Sequence, residues 1–311
     1  MKQRLLLLCA ALIVLPTCGI AGGFSKLPVS ARAVTLGGSL VSFSDDPNVV
    51  FYNPAGIAAL KTISISSSYT QLFTGISGDR LSYISGSAVA NLGLVGNLGV
   101  GIRSFSSNFW KENEIVGSYA QNLFDLFFIG GSVKLMQWST PAPAGRLAVP
   151  EEGFSNVTLS FDAGAQAQLS NIVPDNDIRF GVFVGDITQP SIAKNRAPEG
   201  KLNLRLSAGV AYISRVYNYA ATAHYTVAGT MKRLGVGLEI LALETSVLEQ
   251  PVQLVVRAGG GGGLQATAKQ GDVNGGLGLT VAGLSFDYSY TYQTQLLYVS
   301  GTHHLTLRYS F

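Results

Sequence analysis

From Lys61 to Phe311, apolar residues alternate with polar or small ones in recurring segments of about ten residues, the period of a β-strand with two different faces. Leu284, Phe286, Tyr288, Tyr290 and Tyr292 share one face of the clearest segment, and Ser285, Asp287, Ser289 and Thr291 share the other. Residues 157–169 repeat it, with Val157, Leu159 and Phe161 set against Thr158, Ser160 and Asp162. So do 202–212, 234–240 and 303–311, and no helical stripe of any length competes. The pattern predicts strands at 61–70, 80–90, 94–105, 112–122, 125–138, 155–169 and 177–187. Seven more are predicted at 201–213, 216–227, 231–242, 251–262, 271–281, 283–294 and 302–311.

Fourteen is an even number, and the connections alternate in character. Asn91-Leu92-Gly93, Asn122-Leu123-Phe124 and Ala282-Gly283 are tight, whereas 139–154 and 188–200 are longer and polar. Short turns at one rim and long loops at the other predict an all-β chain: a single 14-stranded antiparallel transmembrane β-barrel. A secreted β-sandwich also alternates. The polar face here is poor in Lys and Glu and rich in Gly, Ser and Gln, which suits a lumen better. Aromatic residues near segment ends (Tyr69, Phe73, Phe109, Trp110, Trp138, Tyr217, Tyr298, Tyr309, Phe311) read as interfacial girdles.

Composition narrows the class further. Charged residues are 13% of the 311-residue chain and 37 residues are Gly, yet apolar residues hold an ordinary 47%. Disorder needs more charge and fewer apolar residues. After residue 20 no stretch is apolar enough for a spanning helix. A formal charge of +3 without a basic run gives nucleic-acid binding no support.

Residues 1–21 read as a signal peptide for the Sec pathway: basic Lys2 and Arg4, an apolar core Leu5–Leu15 too short to span a bilayer, then small residues to Ala21. Leu15-Pro16-Thr17-Cys18 loosely matches a lipobox, with Thr17 the wrong residue before the Cys. Removal of the leader takes Cys9 and Cys18, the two cysteines of the chain, and leaves basic and acidic residues almost balanced.

In residues 22–60 the alternation fails. Asp46 before Pro47 and Asn53 before Pro54 each read as an N-cap followed by proline at the first helical position. Two short helical turns in a segment too small for its own domain predict a plug tucked into or under the barrel formed by 61–311.

Ala31-Arg32-Ala33 through Leu36-Gly37-Gly38, then Asp45-Asp46-Pro47, then Tyr52-Asn53-Pro54-Ala55-Gly56-Ile57-Ala58 with Leu60, closely resembles the N-terminal signature of the FadL superfamily of outer-membrane barrels. Its short members, the PorV/PorQ family, fit best. The resemblance continues through Gly117–Ala120, Gly131–Lys134, Phe161–Gly164, Arg257–Gly259 and Phe286–Tyr290. Leu305, Leu307, Tyr309 and Phe311 resemble the C-terminal signal that such barrels present to their assembly machinery. The resemblance implies fourteen strands, an N-terminal hatch, residence in the outer-membrane lipid and, for PorV-like members, service to type IX secretion by binding exported proteins.

With Phe161, Phe286 and Tyr309 facing lipid, parity puts Arg103, Lys134, Asp162, Arg179, Arg205, Glu239, Arg257, Asp287 and Arg308 inside. Charges in a lumen are costly unless paired, so the expectation is a structural network, with an anion-leaning constriction as the alternative. Arg32 and the dipole-positive helix starts at Asp46 and Asn53 are placed to join it.

Enzymatic chemistry has little to stand on. His303 and His304 are adjacent on a strand and point to opposite faces, and His224 sits in no catalytic motif. The run Gly259–Gly263 lacks the Lys-Ser/Thr of a phosphate loop. No cofactor or metal site is expected. Two functions remain open. One is docking of an exported protein or secretion-system subunit on outer loops 137–154 and 188–201, which the chain length favours. The other is a FadL-like channel for hydrophobic small molecules such as fatty acids, with an apolar pocket lined by Leu36, Phe43, Phe51 and Tyr52.

Overall fold

A computed structural model of the chain describes Phe24 and residues 27–74, 78–141, 153–264, 271–295 and 300–311. Residues 1–21, read from the sequence as a leader, most of the segment 139–154 and Tyr298 lie outside the described residues. Fourteen strands follow one another: β1 Ser64–Gln71, β2 Ser82–Asn91, β3 Asn97–Ser106, β4 Lys111–Leu123, β5 Phe127–Thr140, β6 Phe154–Val173 and β7 Asn176–Gly185. The second half comprises β8 Arg205–Ser214, β9 Tyr219–Ala228, β10 Met231–Val247, β11 Gln250–Gly263, β12 Gly271–Val281, β13 Leu284–Gln293 and β14 Thr302–Ser310. Each pairs antiparallel with its sequence neighbours, and β1 closes on β14 from Ser64↔Ser310 to Gln71↔His303. Closure leaves no open edge, so every strand finds backbone partners on both sides.

The alternation read from the sequence becomes two surfaces. On β13, Leu284, Phe286, Tyr288, Tyr290 and Tyr292 are exposed outward, while Ser285, Asp287, Ser289 and Thr291 are buried inside. Ile102, Ile115, Val133, Leu159, Phe180, Val236 and Leu277 continue the outward apolar face around the barrel. One rim carries tight turns, such as Ala282-Gly283 with φ of 49° and 82°, the pair of left-handed residues that suits a twisted two-residue hairpin. The opposite rim carries the longer connections, among them 72–81 and 186–204.

Not all the aromatics form girdles. Tyr69, Phe109, Tyr217 and Phe311 are exposed. Trp110 instead packs on Phe105 and Trp138 on Phe154, both joining interior clusters, because their strand parity is inward.

The hydrophobic core is inside the barrel and is built mainly by the segment 27–60. Val29, Ala33, Leu36, Leu40, Phe43, Val49, Val50, Ala55 and Ile57 are buried against Val89, Phe105, Val116 and Phe128 of the wall. The segment has a short helix α1 (Ala31–Thr35), capped by Ser30 Oγ on Ala33 N at 3.2 Å. Two 3-10 turns follow. Asp46 caps Pro47–Phe51 through Asn48 N at 2.9 Å, and Asn53 caps Pro54–Ala59 through Ala55 N at 3.2 Å. The caps at Asp46 and Asn53 are legible in the sequence; the helix at Ser30 is not, because Ala31–Thr35 has no amphipathic stripe to mark it.

The glycine content finds its explanation here. Inward glycines on β5, β7, β10 and β11 face the segment at backbone contact. A Cβ on Gly130 would meet Pro54 and Ala55; on Gly181 it would meet the Val41 carbonyl, and on Gly259 the Thr35 carbonyl. A wall without side chains at these points lets the segment's own backbone lie against it.

Candidate functional site

The inner segment is tied to the wall by charge. Arg32 on α1 lies 2.9 Å from Glu239 of β10, 3.0 Å from Asp45 and 3.7 Å from Asp46. Glu239 also receives Arg257, which bonds Asp287 at 2.5 Å, and Arg308 reaches Asp46 at 3.0 Å. Segment and strands β10, β11, β13 and β14 thus share one network. Burial works against the Arg32 charge, but Asp45, Glu239 and Asp46 outweigh it and hold the guanidinium well above its ordinary value. The Asp45 carboxyl is held below its ordinary value: burial pushes it up, and Arg32, with Arg179 also near, prevails. Burial raises the Tyr52 phenol, whose oxygen accepts from Val29 N at 2.8 Å.

Two further groups sit elsewhere on the wall. Lys134 lies 2.7 Å from Asp162 and 2.5 Å from Asp186, and Asp162 accepts from the Asp186 backbone N–H. Arg103 bonds Glu114 at 2.6 Å. The nine inward charges expected from parity therefore do not form one set. Seven of them join ion pairs, while Arg179 and Arg205 make no ion pair or hydrogen bond among the described residues.

Acids that sequence reasoning missed answer several of the bases. Glu114 and Glu112 share inward parity on β4, which the outward Ile115, Gly117 and Tyr119 would have revealed. Asp186 follows the last residue of β7, and Asp272, the second residue of β12, bonds Arg233 at 2.6 Å.

The remaining signature residues have definite local work. Gly37 and Gly38 end α1 at φ of 84° and 100°, and a Cβ on Gly37 would lie 2.5 Å from the Val236 backbone nitrogen. Asn53 Nδ2 donates to the carbonyls of Val41 at 2.8 Å and Ala165 at 3.2 Å, joining segment to wall. Pro54 and Ala55 lie against Gly130, and a Cβ on Gly56 would lie 2.7 Å from the Phe43 carbonyl. At the chain end Tyr309 and Phe311 stack edge-on at 4.7 Å, and Phe311 N donates to Ile63 O.

Between the segment and the long-loop rim lies a cavity of about 650 Å³, a volume usual for small-molecule sites. Its apolar side comes from Phe24, Leu27, Val34, Tyr52 and Phe73, and its polar side from Arg205, His224, Asn274, Thr291 and His304. The pocket expected at Leu36, Phe43 and Phe51 is absent: these side chains are packed solid, at 0%, 1% and 5% exposure. Of that set Tyr52 alone lines the cavity. His304 faces inward and bonds Thr70 Oγ1, whereas His303 faces outward beside the Tyr288 hydroxyl. Within the loop 186–204, Ile192 and Leu202 turn inward and pack with Phe24 and Met136.

No family model matches the chain, and no curated protein matches its sequence. Solved structures do. The monoaromatic hydrocarbon channel CymD superposes with a TM-score of 0.64 at 12% identity, over 93% of this chain and 99% of its own. The Ralstonia pickettii toluene transporter TbuX gives 0.60 at 11% identity, over 93% and 99% of the two chains. A Pseudomonas aeruginosa FadL homologue gives 0.57 at 14%, over 96% and 99%. The chain shares their fold. The likeness extends over nearly the whole of each barrel.

Proposed function

We propose that this protein is a non-enzymatic channel of the bacterial outer membrane that admits hydrophobic small molecules. The observation that carries the reading is the cavity of about 650 Å³ inside a closed barrel, bounded below by the inner segment. The outward apolar face contacts lipid, and the long-loop rim faces out of the cell. A molecule enters past that rim and rests in the cavity. The segment 27–60 acts as the plug, its glycine-backed packing and the Arg32 network keeping the lumen shut until it shifts. That a monoaromatic hydrocarbon channel and a toluene transporter share this fold supports the reading. Docking of exported proteins has no comparable support, and part of one candidate docking loop is turned inward.

The test is gentle detergent extraction of the barrel from outer membranes, followed by mass spectrometry of whatever stays bound. A hydrophobic small molecule, lost when Val34 and Phe73 are enlarged to Trp, is the expected result. A stoichiometric protein partner, lost on deletion of 188–201 with the small molecule absent, would replace the channel reading with docking.

A further inference from the structure

The tight-turn rim ends in bulky apolar side chains. Leu94 in the β2–β3 turn is 98% exposed, Phe124 in the β4–β5 turn 95% and Leu248 in the β10–β11 turn 92%. Val216 and Tyr217 stand out in the same way from the β8–β9 turn. Phe124 and Leu248 also hold a left-handed backbone, at φ of 61° and 50°. That conformation is strained for a large side chain, and Asn, Asp or Gly is its ordinary occupant. A turn standing in water gains nothing from Phe or Leu there.

The turns continue the outward apolar face of the wall. At the long-loop end a row of bonded polar side chains closes that face. Ser104 Oγ donates to Asn113 Oδ1 at 2.7 Å, Asn113 Nδ2 to Gln137 Oε1 at 3.4 Å and Gln137 Nε2 to Ser155 Oγ at 3.1 Å. At the tight-turn end the face stays apolar to the strand ends, at Leu98, Phe127 and Leu284. The apolar face of β5 runs from Phe127 to Leu135. At ~3.3 Å per residue and ~40° tilt it climbs about 20 Å, short of the ~25 Å band of such barrels. Gln137 stops it at one end, so Phe124 makes up the difference at the other.

The β2–β3 turn is also bonded as a dry setting demands. Gly93 O accepts from Gly96 N at 3.2 Å and Gly96 O from Leu92 N at 2.9 Å. Leu94 O accepts from Gln121 Nε2 at 3.3 Å, and Val95 O from the Tyr119 hydroxyl at 2.6 Å. Tyr119 and Gln121 have outward parity on β4, so they hold the turn against the outer side of the wall. Carbonyls that water could serve are served by protein, the condition lipid imposes. Exposed Asp125 and Glu249 follow Phe124 and Leu248, which sets the tips where headgroups and water begin.

We infer that the tight-turn rim is a phospholipid-binding surface, with Leu94, Phe124, Tyr217 and Leu248 immersed at the headgroup–acyl boundary of the periplasmic leaflet. Anchors on separate turns suit a deformable lipid surface, whereas a protein partner needs a contiguous patch. Through them the barrel fixes its depth in the membrane. The inference goes beyond the channel reading and rests only on the membrane-spanning barrel within it.

The chain has no cysteine beyond Cys18, so Leu94→Cys, Phe124→Cys and Leu248→Cys each take a single nitroxide label in the leader-free barrel. The labelled proteins are reconstituted in phosphatidylethanolamine–phosphatidylglycerol vesicles. Electron paramagnetic resonance compares collisions with oxygen, which concentrates in lipid, and with a water-soluble nickel chelate. Phe161→Cys marks the lipid-facing wall and Lys194→Cys the aqueous loops. All three tips favour oxygen several-fold more than Lys194→Cys does. Tips that behave as Lys194→Cys overturn the inference, and tips shielded from both reagents overturn it in favour of a protein cover. A Phe161→Cys label that favours nickel counts against the membrane-spanning barrel itself. Phe124→Asn combined with Leu248→Asn gives a second readout by urea unfolding in the same vesicles. Asn relieves the left-handed strain, so tips in water make the pair neutral or stabilising. Immersed tips lower the folding constant by roughly 10- to 100-fold, the range for half-burying two such side chains. An unchanged or higher constant overturns the inference.

Discussion

Adding a single methyl group at Gly130 tests whether the barrel wall was built around the inner segment. A Cβ there would lie 2.7 Å from Ala55 N and Pro54 C, and 2.9 Å from Pro54 O. Ordinary contacts fall at roughly 3.5–4.0 Å, so backbone must retreat by about 1 Å. Neither neighbour is the end of a flexible side chain, and Ala55 N is held at 3.2 Å by the Asn53 cap. Such overpacking costs about 1–3 kcal/mol. The control is Gly117→Ala on the outward face of β4, where nothing lies within 4 Å of the new carbon. Both variants gain the same strand preference of Ala over Gly, about 0.5–1 kcal/mol. Their difference therefore isolates the clash. Urea unfolding in detergent micelles should place Gly130→Ala about 1–3 kcal/mol below Gly117→Ala. Limited proteolysis should also cut within 47–56 in the first variant and not in the second. Equal unfolding midpoints with an equally protected segment would refute the idea that the glycines hold it.

Three further outcomes follow from the ion-pair groups. Lys134→Met leaves Asp162 and Asp186 without their shared cation and should cost about 3–5 kcal/mol, read as a lower melting temperature; Asp162→Asn or Asp287→Asn should likewise lower heat stability more than it alters single-channel conductance in planar bilayers. The Asp45 carboxyl is depressed in the folded state, so its contribution is complete above the ordinary carboxylate range and is lost as pH falls through the folded value. The melting-temperature difference between wild type and Asp45→Asn should be constant from about pH 8 to 5 and shrink below about pH 4; a constant difference down to pH 2 would detach Asp45 from the network.

Much of this barrel is local in origin. Alternation along β13 follows from the pleat of a strand, in which successive side chains must point to opposite faces. Fourteen strands, their turns and the caps at Asp46 and Asn53 are therefore legible in Lys61–Phe311 and in two Asx-Pro pairs. What the inward residues do to one another is not local. Arg32 meets Glu239 across 207 positions, and Gly259 faces the carbonyl of Thr35. Parity places Arg205 and Arg257 alike inside, yet one has two carboxylates and the other none among the described residues. Register, closure and the path of residues 27–60 through the lumen decide which charges pair and where a cavity remains. The sequence alone determined which side of the wall each residue takes, because that depends on two-residue periodicity. Only the tertiary structure decided what each residue meets there, because strands and segment come together through contacts distant along the chain.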